Sequence, residues 1–286
     1  MLLGAHVSTA GGIDLAVDRL EALGGGQALQ LFVQSPRRWQ PTKHDPERLE
    51  RFIARRREAG IRYVVCHALY LLNLATSDRR LLQQSRKALL ATVDMAVRLE
   101  ADVVIHVGSH GGRGIDSALE RITKSIEPAL RRISGESRLL LENCAGGGGT
   151  VGRSIQELAT IIDRLGRHQR LGICLDTCHL WASGLDITDP RVVEELADET
   201  RRRVGLERLG ALHVNDSADP LGSNRDVHAN IGHGKLRAKL AVLLNHGAFR
   251  HLPAILETPG REGKGPDADE MRNLKRLCAR AGIPVG

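Results

Sequence analysis

The chain has 286 residues, 42% hydrophobic and 26% charged, and its 41 Lys and Arg exceed its 34 Asp and Glu to give a formal net charge of +7. This balance is ordinary for a soluble globular protein, and it permits a polyanionic partner without requiring one. Since no run approaches the roughly 18 apolar residues that span a bilayer, the sequence predicts no membrane-spanning helix.

Eight short apolar runs predict strands, and all but one end on a polar residue. Continuous apolar runs of this length are typical of strands buried on both faces of a parallel sheet. In chain order the runs are LLGAH to His6, ALQLF over 28–32, RYVVCH to His67, DVVIH to His106, RLLLE to Glu142, GICLD to Asp176, GALH to His213 and PAILE to Glu257. ALQLF is the run without a polar ending.

Helix signals separate these runs. Over residues 78–100, small and apolar side chains recur at the helical period, which predicts a long amphipathic helix. Further helix boundaries are indicated by the N-caps Asp45 and Asp189, each followed by Pro, by the capping-box spacing of Ser154 and Glu157, and by the C-terminal glycines Gly60 and Gly282.

The spacing of the polar strand ends predicts the fold. From His67 to His106 the interval is 39 residues, and the following intervals as far as Glu257 are 36, 34, 37 and 44 residues. Each interval holds one strand, one helix and their loops, and eight such units close a barrel. We therefore expect an α/β fold, a single (β/α)8 TIM-barrel domain over residues 1–286 with its active site at the C-terminal face of the strands. An open doubly wound sheet is the alternative, but it gives no reason for polar strand ends.

In such a barrel the polar strand ends would meet on one face. The set is His67, His106, Glu142, Asp176, His213 and Glu257, and the loops add His179, Asp226 and His228. One histidine of this kind is more commonly a hydrogen-bonded structural residue. Burying so many unpaired charges together would cost several kcal/mol each, and divalent cations remove that cost. Imidazole and carboxylate ligands suit catalytic zinc or manganese, and nine ligands exceed the roughly three that one catalytic zinc takes, so we expect several ions.

The cysteines and the histidines outside this set are interpreted as structural or supporting residues. The five cysteines show no paired framework, and the start MLLGAHVSTAGG lacks the basic region of a signal peptide, so we expect a cytoplasmic protein. Cys66, Cys174 and Cys178 are interpreted as small core side chains. His6, His110 and His233 are interpreted at most as residues that support the ligands.

Several strings of this sequence resemble a known family. They are GAHVSTAGG, LENCAGGGGT, CLDTCHLWASGLD, HVNDSADPLGSNRDVHANIGHG and ILETP, which occur in order from residue 4 to about residue 260. Together they resemble the endonuclease IV (deoxyribonuclease IV) family of abasic-site endonucleases. The resemblance implies a zinc-dependent enzyme of base excision repair that hydrolyses the phosphodiester 5′ to an abasic site, leaves a 3′-hydroxyl and a 5′-deoxyribose phosphate, and also clears 3′ blocking groups.

The resemblance also implies the roles of individual residues. His67, His106 and Glu142 would hold a first zinc ion, and Glu142, the catalytic residue, would bridge to a second. The second ion would also be held by Asp176, His213 and Glu257, and the third by His179, Asp226 and His228. Manganese is allowed at one position. Arg37, Tyr70 and Leu71 would enter double-stranded DNA and stabilise the extruded abasic nucleotide. We expect a monomer with no membrane partner.

Three departures from the family pattern put two phosphate contacts in doubt: Ala218, Val227 and His233. The residues expected to contact phosphates are Arg37, Arg38, Arg113, Arg153, Arg225, Arg261 and Lys264. The more conspicuous basic runs Arg55–Arg57 and Arg201–Arg203 fall at the ends of helices that run antiparallel to the strands. We therefore expect them at the opposite face of the barrel, turned to water.

Two other functions fit part of this pattern. A metal-dependent sugar isomerase or epimerase would use the same barrel face with one metal ion. A non-catalytic DNA-binding or zinc-sequestering protein would need no complete ligand set. The element Asp226-x-His228 favours the nuclease, and the number of bound metal ions discriminates between the nuclease and the isomerase.

Overall fold

A computed structural model describes residues 1–285, and in it eight parallel strands close into a barrel. The strands of the protein are β1 (Leu3–Val7), β2 (Ala28–Leu31), β3 (Tyr63–His67), β4 (Asp102–Ile105), β5 (Leu139–Glu142), β6 (Leu171–Asp176), β7 (Leu209–His213), β8 (Asp216–Ser217), β9 (His228–Ala229) and β10 (Ala254–Leu256). The order around the barrel is β1-β10-β7-β6-β5-β4-β3-β2. The predicted (β/α)8 fold is confirmed. That residues 1–286 form one domain stays a prediction.

Helices connect the strands, and the long helix predicted over residues 78–100 is observed as α3 (Arg79–Arg98). They are α1 (Leu15–Ala22), α2 (Pro46–Glu58), α3 (Arg79–Arg98), α4 (Asp116–Arg132), α5 (Ile155–Arg164), α6 (Thr177–Ala182), α7 (Pro190–Arg203), α8 (Ala241–Asn245) and α9 (Ala268–Arg280). The three predicted N-caps accept hydrogen bonds from the first turn: Asp45 from Glu47 N, Ser154 from Glu157 N and Asp189 from Arg191 N. Gly60 and Gly282 follow α2 and α9 with φ of 68° and 67°, the left-handed conformation that ends a helix.

Alternate residues of the strands point into the barrel and fill it. The interior cluster is Ala28, Val65, Val104, Leu140, Cys174, Ala211 and Ile255. A larger aliphatic cluster fills the space between the barrel and its helices. Strand pairing is close at β1 and β2, since a Cβ on Gly4 would lie 1.7 Å from the carbonyl oxygen of Ala28. The position therefore requires glycine.

The antiparallel pair β8 and β9 was not predicted from the sequence. It lies in the connection between β7 and β10, and the buried carboxylate of Asp216 holds that connection in place. Asp216 accepts hydrogen bonds from the backbone N–H groups of Gly232, Gly234, Leu236 and Arg237 at 2.8–3.1 Å. This anchoring supports the segment that carries His228.

The basic run that ends α2 differs from expectation at one residue. Arg55–Arg57 do end α2, but Arg56 is buried and pairs with Glu100, which precedes β4 at the end of the barrel away from the polar strand ends. The expectation that all three face water is therefore wrong for Arg56.

Within residues 1–285, no helix is both long enough and apolar enough to cross a membrane.

Candidate metal centre

The polar strand ends lie together at the carboxyl-terminal rim of the barrel. His67, Glu142, Asp176 and His213 are the last residues of their strands, whereas His106 and Glu257 directly follow β4 and β10. Parallel strands point the same way, so residues far apart in the chain meet at this rim. Glu142, Asp176 and His213 are fully buried there.

A first group joins three residues from neighbouring strands. Oε2 of Glu142 lies 3.3 Å from Nε2 of His67 and 3.3 Å from Nε2 of His106. The ligand atoms of the three residues all lie within 4.8 Å of one another. This spacing is suitable for one shared metal ion.

A second group shares Glu142 with the first. Its members are Glu142, Asp176, His213 and Glu257, whose ligand atoms also lie within 4.8 Å of one another. Nδ1 of His213 lies 2.9 Å from Oε1 of Glu142 and 3.2 Å from Oε2 of Glu257. The two oxygens of Glu142 therefore face different groups.

A third group lies at the outer edge of the rim, on α6 and β9. Oδ1 of Asp226 is 3.1 Å from Nε2 of His179 and 3.1 Å from Nε2 of His228. The Asp-x-x-His spacing that begins at Asp176 also has a structural role, because Asp176 caps α6 by accepting from the backbone N–H of His179 at 2.8 Å. His228 Nε2 lies 3.6 Å from Asp176 Oδ2, which links this group to the second.

Backbone carbonyls orient three of the histidines. Nδ1 of His67 faces the carbonyl of Ala68 at 2.7 Å, Nδ1 of His179 faces that of Asn143 at 2.9 Å, and Nδ1 of His228 faces that of Glu257 at 3.2 Å. A carbonyl oxygen only accepts, so Nδ1 carries a proton in each ring, and in the neutral imidazole Nε2 presents a lone pair to the group. This is the arrangement in which histidine binds a metal ion.

The groups also contain polar atoms that lack hydrogen bonds. Glu142 Oε2, His179 Nε2 and His228 Nε2 are buried without a hydrogen-bond partner among the described residues. A buried polar atom without a partner costs on the order of 1–3 kcal/mol, and a coordinated cation removes this cost. The residues present therefore fit divalent cations bound by imidazole and carboxylate.

The electrostatics of the site favour positive charge. Burial alone would raise the pKa of Glu142, but His106 and His213 hold it well below its usual range. Burial would lower the pKa of His228, but Asp176 and Asp226 raise it to about 9. The carboxylates thus stabilise positive charge, which metal ions supply in place of protons once the imidazoles are neutral.

The cysteines do not join the site as thiolates. All five are free and buried, as predicted for Cys66, Cys174 and Cys178. Cys178 lies within 4.8 Å of ligand atoms of Asp176 and His228. Burial raises the pKa of its thiol, and Sγ donates to the backbone carbonyl of Val227 at 3.6 Å, so Cys178 is a neutral, hydrogen-bonded thiol here.

The residues expected to contact DNA lie beside the metal groups. Arg37 and Tyr70 line a cavity of about 860 Å³ that also reaches Glu257. Tyr70 is 58% exposed, and Leu71 next to it is half-buried. The other basic candidates, Arg38, Arg113, Arg153, Arg225, Arg261 and Lys264, are exposed, and so are Ala218, Val227 and His233, the three departures from the family pattern.

Some of these basic side chains are already paired. Arg225 Nε lies 3.3 Å from Asp219, Lys264 Nζ lies 2.7 Å from Glu262, and Arg261 pairs with Asp269. Contact with a phosphate would require these side chains to exchange one anion for another.

Sequence reasoning missed three buried amides that contact the site. Asn143 accepts from the backbone N–H of Asp176 at 2.6 Å, and Asn215 donates to Asp176 Oδ2 at 2.6 Å. Gln30 lies between His213 and Glu257. A signal for Gln30 was available, since it is the polar residue within the run ALQLF, two positions after the interior residue Ala28.

Comparisons with known proteins agree with the barrel fold. The family model of the xylose isomerase-like TIM barrels matches residues 17–280. The chain is 36% identical over 278 residues to a protein of Halothermothrix orenii named probable endonuclease 4, covering 96% of this chain and 100% of the relative. It is 41% identical over 262 residues to the protein of the same name from Heliobacterium modesticaldum, covering 91% and 94%. The crystal structure of endonuclease IV from Thermus thermophilus superposes with a TM-score of 0.85 at 35% identity, covering 98% of this chain and 100% of that one.

Proposed function

Because the chain belongs to the endonuclease IV family, within the xylose isomerase-like TIM barrels, we propose that it is a metal-dependent hydrolase that cuts DNA at abasic sites. The bond hydrolysed is the phosphodiester 5′ to the abasic sugar, and the products are a 3′-hydroxyl and a 5′-deoxyribose phosphate. Clearing of 3′ blocking groups is the same hydrolysis at a strand end. The observation that carries this proposal is the meeting of three ligand groups at one rim of the barrel.

The proposed cofactor is three zinc ions, with manganese allowed at one position. The first group (His67, His106, Glu142), the second (Glu142, Asp176, His213, Glu257) and the third (His179, Asp226, His228) would hold one ion each. Glu142 would bridge the first two groups, one carboxylate oxygen to each, and it is the residue to which we assign the central catalytic role. The chemistry that bound zinc supplies is a lowered pKa of water and neutralisation of charge on the reacting phosphate and the departing oxygen.

The residues beside the three ligand groups would account for selectivity for abasic sites over intact DNA. Arg37 and Tyr70 line a cavity that reaches Glu257 and is large enough to receive an extruded sugar phosphate. An abasic nucleotide has no base to unpair or unstack, so extruding it costs less than flipping an intact nucleotide. Tyr70 and Leu71 would fill the space left in the base stack, and Arg37 would pair with a phosphate.

The direct test is cleavage of a duplex that carries one tetrahydrofuran abasic analogue, with the intact duplex as control. We expect a single cut on the 5′ side, complete loss of cleavage after chelation, and recovery when zinc is added. The analogue cannot undergo β-elimination, so a cut requires hydrolysis. Failure of the zinc-loaded protein to cut this duplex would contradict the proposal.

The alternative function is a metal-dependent sugar isomerase or epimerase. It requires one ion at this rim and leaves the third group, with Asp226 and His228, without a role. Elemental analysis separates the two functions: three zinc equivalents support the nuclease, and one equivalent together with turnover of a ketose supports the alternative. A protein that binds DNA or zinc without cleaving DNA would indicate the non-catalytic function.

A further inference from the structure

Gln30 is a fully buried amide that touches two proposed ligands of the second group. It lies on β2, the strand whose run lacks a polar ending. Its buried side chain points into the barrel, towards the carboxyl-terminal rim. Its amide oxygen lies 2.7 Å from Nε2 of His213, and its amide nitrogen donates to Oε1 of Glu257 and lies 2.9 Å from Nδ1 of His6. Both the oxygen and the nitrogen of the amide are thus engaged.

The partners of Gln30 determine which way its amide points. A carboxylate only accepts hydrogen bonds, so the amide nitrogen must face Glu257 and the amide oxygen must face His213. The second N–H of the amide then donates to Nδ1 of His6. The reverse orientation would set the amide oxygen against a carboxylate oxygen, and two acceptors repel one another.

This orientation in turn determines the proton position on His213. An amide oxygen only accepts, so Nε2 of His213 carries a proton, and in the neutral ring that binds a metal ion Nδ1 presents the lone pair. That lone pair faces Oε1 of Glu142 at 2.9 Å and Oε2 of Glu257 at 3.2 Å. Three acceptors at this distance repel one another unless positive charge lies between them.

His213 differs from three of the other proposed ligands in this respect. In His67, His179 and His228 the proton lies on Nδ1 and a backbone carbonyl accepts it. In His213 the ring is reversed, with Nδ1 towards the group, and a side chain from another strand accepts the proton. A backbone carbonyl is present whatever the sequence, whereas this acceptor depends on a single residue.

We propose that Gln30 is a positioning residue of the metal centre, which sets Nδ1 as the ligating atom of His213 and holds Glu257 in place beside it. The inference rests on the proposed function, since it assigns both residues to the same ion. Outer partners of metal ligands typically change metal affinity by 10–100-fold when they are removed. Because Gln30 holds two ligands of the second group and none of the third, its loss acts on one ion.

The test compares Gln30→Met, which has nearly the same volume, with Gln27→Leu as the matched control. Gln27 directly precedes β2 at the opposite end of the barrel, and its side-chain oxygen has no hydrogen-bond partner within residues 1–285. Zinc is titrated out of each purified zinc-loaded protein with a competing chelator. We expect Gln30→Met to release one equivalent at roughly 10–100-fold lower chelator concentration, while Gln27→Leu releases its zinc as the wild type does. Thermal unfolding of each protein shows that it is folded.

The second readout is the proton position on His213, from long-range ¹H–¹⁵N correlation in the zinc-loaded proteins. We expect the wild type to bear the proton on Nε2 and the metal on Nδ1, and Gln30→Met to show mixed states. Unchanged zinc release and an unchanged His213 spectrum in Gln30→Met would overturn the inference while leaving the proposed function intact. A wild type that binds no zinc would instead overturn the proposed function.

Discussion

Oε2 of Glu142 lies 3.3 Å from Nε2 of His67, and this carboxylate oxygen has no hydrogen-bond partner among the described residues. The contact joins the last residue of β5 to the last residue of β3. In the neutral His67 ring the proton lies on Nδ1, so the atoms that face one another are both acceptors. This pair is therefore arranged for a cation rather than for a hydrogen bond.

The first prediction concerns Glu142→Gln, which keeps the shape of the side chain and removes its charge. We expect fewer than three zinc equivalents and cleavage of an abasic duplex slower by at least about 100-fold, because a neutral amide is a poor bridging ligand. Elemental analysis and single-turnover cleavage measure the two effects. Glu120→Gln, an exposed residue of α4 that pairs with Lys124, is the matched control. Full zinc content and full cleavage in Glu142→Gln would contradict the assignment.

The second prediction concerns Asp226→Asn in the third group. We expect loss of one zinc equivalent with the other two retained, since Asp226 contacts His179 and His228 but belongs to neither of the other two groups. Cleavage should fall by about 100-fold or more, because a charge-neutralising contact to the reacting phosphate is lost. Asp198→Asn, at a partly exposed residue of α7 that pairs with Arg201, serves as control. Loss of all zinc in Asp226→Asn would show that the groups are not separate.

The third prediction concerns Tyr70→Ala. Stacking of an aromatic ring against a base contributes about 1–3 kcal/mol, so binding of an abasic duplex should weaken by roughly 10–100-fold. Zinc content should not change, because Tyr70 is 58% exposed and belongs to none of the ligand groups. Tyr70→Phe keeps the ring and should bind like the wild type. Equal affinity of the Ala and Phe variants would show that the ring does not enter the duplex.

The fourth prediction is a steep dependence of DNA binding on salt. If about five phosphates are neutralised, the logarithm of affinity should fall with the logarithm of salt concentration at a slope near −4 to −5. Arg37→Ala should reduce the slope by about 1. Arg57→Ala should leave it unchanged, because Arg57 pairs with Glu100 at the opposite end of the barrel. Fluorescence anisotropy over a salt series measures each slope, and a slope near zero in the wild type would argue against a DNA substrate.

The fifth prediction concerns the five cysteines. Burial raises the pKa of every one of these thiols, to about 11 for Cys174 and Cys278, so at pH 8 the folded protein holds almost no thiolate. The thiolate is the reactive form, and its fraction rises only as pH approaches the pKa. We expect Ellman's reagent to label no thiol in the native protein at pH 8 and all five in denaturant. Rapid labelling of a native thiol would show that it is exposed or activated.

Much of this protein could be predicted from its strand ends. Parallel strands buried on both faces have continuous apolar runs, and in a closed barrel their polar ends lie at one rim, so His106 and Glu257 were located without coordinates. The pair β8 and β9 could not be predicted, because two-residue strands leave no hydrophobic pattern. The burial of Arg56 was also missed, because its partner Glu100 lies 44 positions away.

The sequence by itself determined which histidines and carboxylates reach the rim, because the order of strands and their polar ends follow from local periodicity. Only the tertiary structure decided which atom of each ring faces the group. That depends on the partner behind the ring, a carbonyl for His179 and the Gln30 amide for His213. Such partners come from distant strands whose register and side-chain rotamers are settled by packing the whole barrel, so no local pattern encodes them.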